Sequence, residues 1–198
     1  MTQAANTRTR YGTVAMTLHW LIALMVIGNL CSGISFDFFP KGDPTLFTLL
    51  QLHKSSGLTI LVLSLARLAW RLVNPIPALP AGMSPMMRFL ARGTHYLFYF
   101  LIIAIPLSGW ALVSSSPLGL PTMYFGLFEW PHIGFLADLP RDQKIPLRHE
   151  FGAIHQYLAY SAIALLILHV AAALYHQFVR RDDVLKRMWP GTDIAENA

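Results

Sequence analysis

Four histidines lie in or beside apolar stretches of helix length, and their spacing is the clearest sign of chemistry in this sequence. His155 and His169 share one stretch and are fourteen residues apart. At about 100° per residue, both rings leave the same helix face, about 21 Å apart along the axis. His19 and His53 lie near the starts of two other stretches. Because two imidazoles can hold a flat iron macrocycle between them, two pairs at two depths predict two such sites.

The composition predicts a membrane protein almost throughout. Residues are 55% hydrophobic and 13% charged, whereas soluble domains carry roughly a quarter charged residues. A run of about twenty apolar residues spans a bilayer as a helix. We therefore expect an all-α, four-helix transmembrane bundle, a single domain over 1–198, with helices at about 12–36, 53–73, 86–113 and 150–180.

Lysine and arginine near the helix ends predict the orientation. With four helices both termini share one side, and that side carries ten of the fifteen basic residues. Ten against five places both termini in the cytoplasm. The basic character of the chain then reflects topology, and we expect no nucleic-acid partner.

Antiparallel neighbours give each histidine a partner at its own depth. His19 begins the first helix on the cytoplasmic side and matches His169, near the cytoplasmic end of the fourth helix. His53 begins the second helix on the external side and matches His155. The sequence lacks a CxxCH motif, so covalent haem attachment is excluded and any haem is held non-covalently, as haem b. The sequence thus predicts two b haems, an inner one at His19 and His169 and an outer one at His53 and His155.

Two further side chains are candidates for contacts around the inner haem. Arg67 lies fourteen residues after His53, on the same helix face, where it could pair with a haem propionate. The alternative for Arg67 is snorkelling to the headgroups. His176 lies seven residues after His169 and could hydrogen-bond a quinone or a propionate. An interface histidine is the alternative for His176.

The role of the other histidines is less specific. His95 begins the third helix at the cytoplasmic edge, where capping, a place beside a quinone and iron ligation all stay open. His132 and His149 are expected to be surface groups of the external loop.

The motifs around these histidines resemble those of the bacterial cytochrome b561 family, which includes the cytochrome b subunits of nickel–iron hydrogenases. The resemblance covers Tyr11 to Pro190. It rests on Leu18-His19-Trp20, Leu52-His53 with Arg67, Pro85-Met86-Met87, His155, Leu168-His169-Val170-Ala171-Ala172-Ala173-Leu174 with His176, and Arg181-Asp182-Asp183-Val184-Leu185-Lys186-Arg187-Met188-Trp189-Pro190.

The resemblance implies a multi-pass protein of the bacterial inner membrane that carries electrons to or from ubiquinone near the inner haem. It also implies iron ligands at His19, His53, His155 and His169. One short, free-standing member is known as a superoxide oxidase, so a superoxide:ubiquinone oxidoreductase with a small external donor is one expectation. No residue is assigned a catalytic role.

Two other functions remain open at this point. The chain could be the cytochrome b anchor of a hydrogenase-like or other dehydrogenase partner. It could also be a metal or proton transporter that uses intramembrane histidines, although intramembrane carboxylates, which cation transport generally needs, are scarce.

Overall fold

The structure is a computed structural model that describes residues 3–79 and 82–191. In chain order its elements are α1 (Thr13–Ser35), α2 (Pro44–Val73), α3 (Pro85–Ser114), β1 (Thr122–Tyr124), β2 (Phe128–Trp130), the short α4 (Gly134–Ala137) and α5 (Arg141–Tyr175). The four long helices are each long and apolar enough to cross a membrane. The predicted set of four spanning helices is therefore confirmed.

The outer surface of these helices is apolar. Leu24 is 67% exposed, Leu168 66% and Ile167 63%. Soluble monomers rarely expose large contiguous apolar areas. Side chains of this kind along several helices are those of a surface that faces lipid.

Two helices begin earlier than the sequence predicted. α2 begins at Pro44, not near residue 53, because the Asp43 carboxylate accepts a hydrogen bond from the Thr45 backbone N–H at 2.7 Å and proline suits the first helical position. α5 begins at Arg141 after Pro140, not near residue 150. Hydropathy detects the apolar part of a helix and misses the polar turns that precede it.

The segment between α3 and α5, expected as a loop, contains a β-hairpin that packs on α2. β1 and β2 pair antiparallel, with Tyr124 opposite Phe128. The Gln51 amide donates to the Pro121 carbonyl at 3.1 Å and accepts from the Met123 N–H at 3.2 Å. We call this end of the bundle the hairpin end.

The described residues before α1 and after α5 meet at the opposite end, which we call the terminal end. The Asn6 side-chain amide donates to the Pro75 carbonyl at 3.0 Å, and the Ala78 N–H donates to the Arg8 carbonyl at 2.9 Å. Arg187 also donates to the Ala78 carbonyl. The linker between α2 and α3 therefore ties the N-terminal segment to the C-terminal one.

The packing order of the helices leaves a gap in the bundle. α1 packs on α2, α2 on α3 and α3 on α5. Among the described residues, the backbone of α5 comes close to α1 and α2 at isolated points at most. Side chains, rather than closely packed backbones, therefore connect α5 to the α1–α2 pair.

Candidate haem sites

A pair of histidines bridges the gap at the hairpin end. His53 projects from α2 and His155 from α5, and their ring centres are 6.1 Å apart with an angle of 75° between the ring planes. The structure thus brings together the two side chains that depth matching had paired.

A second pair bridges the gap at the terminal end. His19 projects from α1 and His169 from α5, with ring centres 6.4 Å apart and an angle of 73°. The two pairs have nearly the same geometry, and fourteen residues of α5 separate them.

The spacing of the rings fits a six-coordinate haem iron. A metal–imidazole bond is about 2.0–2.1 Å and the ring centre lies about 1.1 Å behind the nitrogen, so rings on opposite sides of one metal have centres roughly 6 Å apart. No cluster of three or more His, Cys, Asp or Glu within residues 3–79 and 82–191 is arranged to hold a bare metal ion. Each pair supplies two ligands only, so a metal there has to bring its other ligands, as haem does.

The ring nitrogens at the hairpin end have protein hydrogen-bond partners. His53 Nδ1 lies 2.9 Å from Ser32 Oγ on α1. His155 Nδ1 lies 3.1 Å from Ser108 Oγ and 3.0 Å from the Ile105 carbonyl oxygen, both on α3. With Nδ1 occupied in each ring, Nε2 is the nitrogen left for iron.

Arg67, the predicted propionate contact, lies at the terminal end beside the second pair. Its positive charge is close enough to act on the rings of His19 and His169. Its Nε donates to the Tyr99 hydroxyl at 3.3 Å, and Arg71 stacks over the Tyr99 ring at 5.4 Å. No carboxylate in the described part of the chain forms an ion pair with either arginine. The two guanidinium groups therefore form a positively charged site that could bind an anionic group.

His95 also lies near His169 at the terminal end, but it projects from α3. Its ring centre is 6.5 Å from that of His169, and its Nδ1 lies 2.6 Å from the Ala91 carbonyl oxygen. This spacing is nearly that of His19 and His169, so ring distance alone does not separate His95 from His19 as the partner of His169. His95 differs in its helix: α3 packs on α5, whereas His19 faces His169 across the gap.

His176, a candidate for a quinone or propionate contact, is 8% exposed and has a carboxylate partner. Its Nδ1 lies 2.7 Å from Asp182 Oδ2. α5 continues as a π-helical turn over His176–Arg180, and Arg181 adopts φ +55°, which returns the chain toward His176. Sequence reasoning missed Asp182 because a spacing of six residues does not bring side chains together on a regular helix.

The C-terminal segment supports the terminal-end pair through Trp20 of α1. The Trp20 indole donates to the Met188 carbonyl at 2.9 Å and packs against Trp189 with ring centres 5.3 Å apart. Trp20 also packs edge-on against His19 at 5.3 Å. Trp20 therefore covers one side of the His19 ring, and Met188 and Trp189 of the C-terminal segment hold Trp20 in place.

The two histidines expected in the external loop differ in the structure. His149 is exposed but lies within α5, so its assignment to a loop was wrong. His132 lies in the loop and its Nε2 is buried without a partner in the described residues. Burial, and then the positive charge of Lys54, lower the pKa of His132 below its ordinary value of 6.5.

Comparison with known proteins gives consistent results over nearly the whole chain. The family model for prokaryotic cytochrome b561 matches residues 10–191. Cytochrome b561 homolog 2 of Escherichia coli is 36% identical over 92% of this chain and 93% of its own length. The probable superoxide oxidase CybB of Yersinia pestis is 29% identical over 91% of this chain and 96% of its own length, and cytochrome b562 of Cereibacter sphaeroides is 29% identical over 90% and 94%.

The family match, the four apolar helices and the facing histidines lead to one conclusion. The chain belongs to the prokaryotic cytochrome b561 family of multi-pass inner-membrane electron carriers that bind b-type haem.

Proposed function

We propose that this protein holds two b haems, one in each histidine pair, and conducts electrons between the two sides of the membrane. The observation that carries the proposal is the repeated geometry, with ring centres 6.1 and 6.4 Å apart in pairs that share α5. A haem b held by two histidines would exchange one electron at a time and would leave no position at the iron for a substrate. In this proposal His19 and His169 hold one haem, and His53 and His155 hold the other.

The distribution of basic residues supports an orientation with both termini in the cytoplasm. Ten lysines and arginines belong to the terminal end and five to the hairpin end, and the more basic side is normally cytoplasmic. The pair His19 and His169 is then the inner one, and the pair His53 and His155 the outer one.

Arg67 and Arg71 are proposed to hold the inner haem by its propionates. Both guanidinium groups contact Tyr99, and they line a cavity with Asn6, Tyr11, Ala15, Trp70 and Ile76. Two cations without a carboxylate partner in the described residues repel each other. A propionate pair would neutralise them through charge-assisted hydrogen bonds.

His176 and Asp182 are proposed to serve the proton chemistry of ubiquinone at the inner side. Reduction of a quinone to a quinol consumes two electrons and two protons. Asp182 fixes the Nδ1–H of His176, which leaves Nε2 to hold or release a proton. The dyad lies just beyond the C-terminal end of α5, on the side where the proposal places the quinone.

Superoxide is proposed as the external donor. One relative is named a probable superoxide oxidase. Lys54 and Lys144 both act electrostatically on His132, and Glu129 opposes them. Two ammonium groups that can attract an anion therefore lie near this histidine at the hairpin end. The overall reaction balances when two superoxide ions become two molecules of dioxygen and one ubiquinone, with two protons, becomes ubiquinol.

The test uses the purified holoprotein with haem counted per chain. We expect two haems b per chain, and ubiquinone reduction when an enzymatic source supplies superoxide. His53→Ala should remove one haem and stop the reaction, whereas His149→Ala, at an exposed position of α5, should change neither. One haem per chain would overturn the two-haem proposal. Full haem content without ubiquinone reduction would overturn the proposed donor and acceptor, and a stoichiometric iron–sulfur subunit in the preparation would favour the anchor function instead.

A further inference from the structure

A serine followed by a glycine meets each ligand candidate at the hairpin end. Ser32 and Gly33 on α1 face the ring of His53. Ser108 and Gly109 on α3 face the ring of His155. The same dipeptide on two different helices therefore contacts the two rings of one pair. We call these two contacts the Ser-Gly cradles.

The serine hydroxyls have their protons engaged elsewhere. Ser32 Oγ donates to the Asn29 carbonyl at 2.8 Å, and Ser108 Oγ donates to the Ile105 carbonyl at 2.8 Å. A hydroxyl has one proton to donate. The Ser32 oxygen therefore accepts the Nδ1–H of His53, whereas the Nδ1–H of His155 is shared between Ser108 Oγ at 3.1 Å and the Ile105 carbonyl oxygen at 3.0 Å. In both rings Nε2 carries the lone pair available to a metal.

The glycines let the rings approach closely enough for these bonds. A Cβ at Gly109 would lie 3.0 Å from Cε1 of His155 and 3.3 Å from its Nδ1. A Cβ at Gly33 would lie 3.4 Å from Cε1 of His53. A larger residue at Gly109 would push the His155 ring away from Ser108, whereas at Gly33 an added methyl group would just reach van der Waals contact with His53.

The pair at the terminal end lacks this arrangement. Within the described residues, no protein acceptor lies within hydrogen-bond distance of the ring nitrogens of His19 or His169. The fixed positive charge of Arg67 acts on both rings instead. The two pairs therefore share their spacing but differ in their surroundings.

These differences act on the reduction potential in opposite directions. A ligand histidine that donates its other N–H becomes a stronger base, which stabilises the more positive, oxidised iron and lowers the potential. A nearby cation stabilises the reduced form and raises the potential. The first effect lowers the potential at the hairpin end and the second raises it at the terminal end, so both give the hairpin-end haem the lower potential.

We propose that the Ser-Gly cradles make the hairpin-end haem the lower-potential haem, so that electron flow toward the terminal end is downhill. The inference rests on the proposed function, since it requires one haem in each pair. Ser32 and Ser108 are positioning residues in this proposal, because they act through His53 and His155.

The test is a spectroelectrochemical redox titration of the purified holoprotein. The haem lost in His53→Ala identifies the hairpin-end component, which we expect to have the lower potential. Ser32→Ala should raise the potential of that same component and leave the other unchanged. Ser108→Ala should raise it by less, because the Ile105 carbonyl still accepts the Nδ1–H of His155. Ser161→Ala is the matched control, because Ser161 is an exposed serine of α5 whose hydroxyl bonds only the Tyr157 carbonyl.

Conservative variants keep the test decisive where an alanine variant binds haem poorly. Ser32→Thr and Ser108→Thr retain the acceptor oxygen and should keep the potential low. The proposal is overturned if the hairpin-end component has the higher potential, if the alanine variants move the other component or neither, or if threonine does not preserve the value. A count of one haem per chain would show that the proposed function itself has failed, and this result is read before any potential is measured.

Discussion

Gly109 lies directly against His155: a Cβ at Gly109 would lie 3.0 Å from Cε1 of the histidine ring, so the ring would have to move by a few tenths of an ångström. Gly109→Ala should therefore displace the ring and destabilise the haem-loaded protein by about 1–3 kcal/mol, the range for overpacking a filled site. Gly33→Ala, with 3.4 Å to His53, should cost less. Haem content after purification and the apparent melting temperature measure both effects.

The matched control for these glycines is Gly28, where nothing lies within 4 Å of the added Cβ. Alanine in a helix is roughly 0.5–1 kcal/mol more favourable than glycine, so Gly28→Ala should bind haem fully and be at least as stable as the parent. Equal haem loss in all three variants would contradict the close contact as the cause.

Arg67 and Arg71 differ in how strongly their charges act on His19 and His169. Arg67 acts electrostatically on His19, His95 and His169, whereas Arg71 acts on His95 alone. A unit charge within about 10 Å contributes on the order of 1–2 kcal/mol at an effective dielectric of about 20. Arg67→Gln should therefore lower the potential of the terminal-end haem by about 59 mV, a tenfold change for one electron. Arg71→Gln should shift it less, and the reverse order in a redox titration would contradict the assignment.

The pairing of the histidines across the gap could be predicted from the sequence, because it depends only on the helix period and on the depth of each residue in the membrane. The helix period places His155 and His169 on one face, and antiparallel neighbours at equal depth then leave one partner for each. The structure brings His19 to His169 and His53 to His155. Ligation itself stays a prediction.

Contacts that depend on irregular backbone could not be predicted from the sequence. The pairing of His176 with Asp182 needs a π-helical turn and a left-handed residue at Arg181. The hairpin rests on α2 through hydrogen bonds to backbone, including the bond from the Phe125 N–H to Ser55 Oγ at 2.9 Å. A serine inside an apolar helix, such as Ser32, suggests helix packing until its neighbour across the gap is known.

The carboxylate of Asp182 should matter for ubiquinone reduction more than for haem binding. Asp182→Asn keeps an oxygen within reach of His176 Nδ1 but removes the carboxylate charge beside the ring. We expect the haem spectrum to stay the same and the rate of ubiquinone reduction to fall about tenfold. This is less than the roughly 10²–10⁴-fold that a general acid–base group itself contributes, because His176 is kept.

Asp183→Asn is the matched control for Asp182. Its carboxylate pairs with Lys186 at 3.0 Å, and both side chains are 47% exposed, so the rate should stay near that of the parent. Equal rates in Asp182→Asn and in the parent would remove the dyad from the proton chemistry. Slow ubiquinone reduction in both variants would point to the charge of the whole C-terminal segment instead.

His132 should make the stability of the hairpin end depend on pH. Burial and then Lys54 lower its pKa from 6.5, Lys144 lowers it further, and Glu129 partly opposes them. As the pH falls through 6.5, the unfolded chain takes up a proton at this histidine before the folded chain does, so stability is lost. The parent should therefore lose more apparent melting temperature between about pH 7 and pH 5 than His132→Gln does. His149→Gln, at an exposed histidine of α5, should follow the parent. A parallel decline in the parent and in His132→Gln would show that His132 takes up its proton equally in the folded and unfolded states.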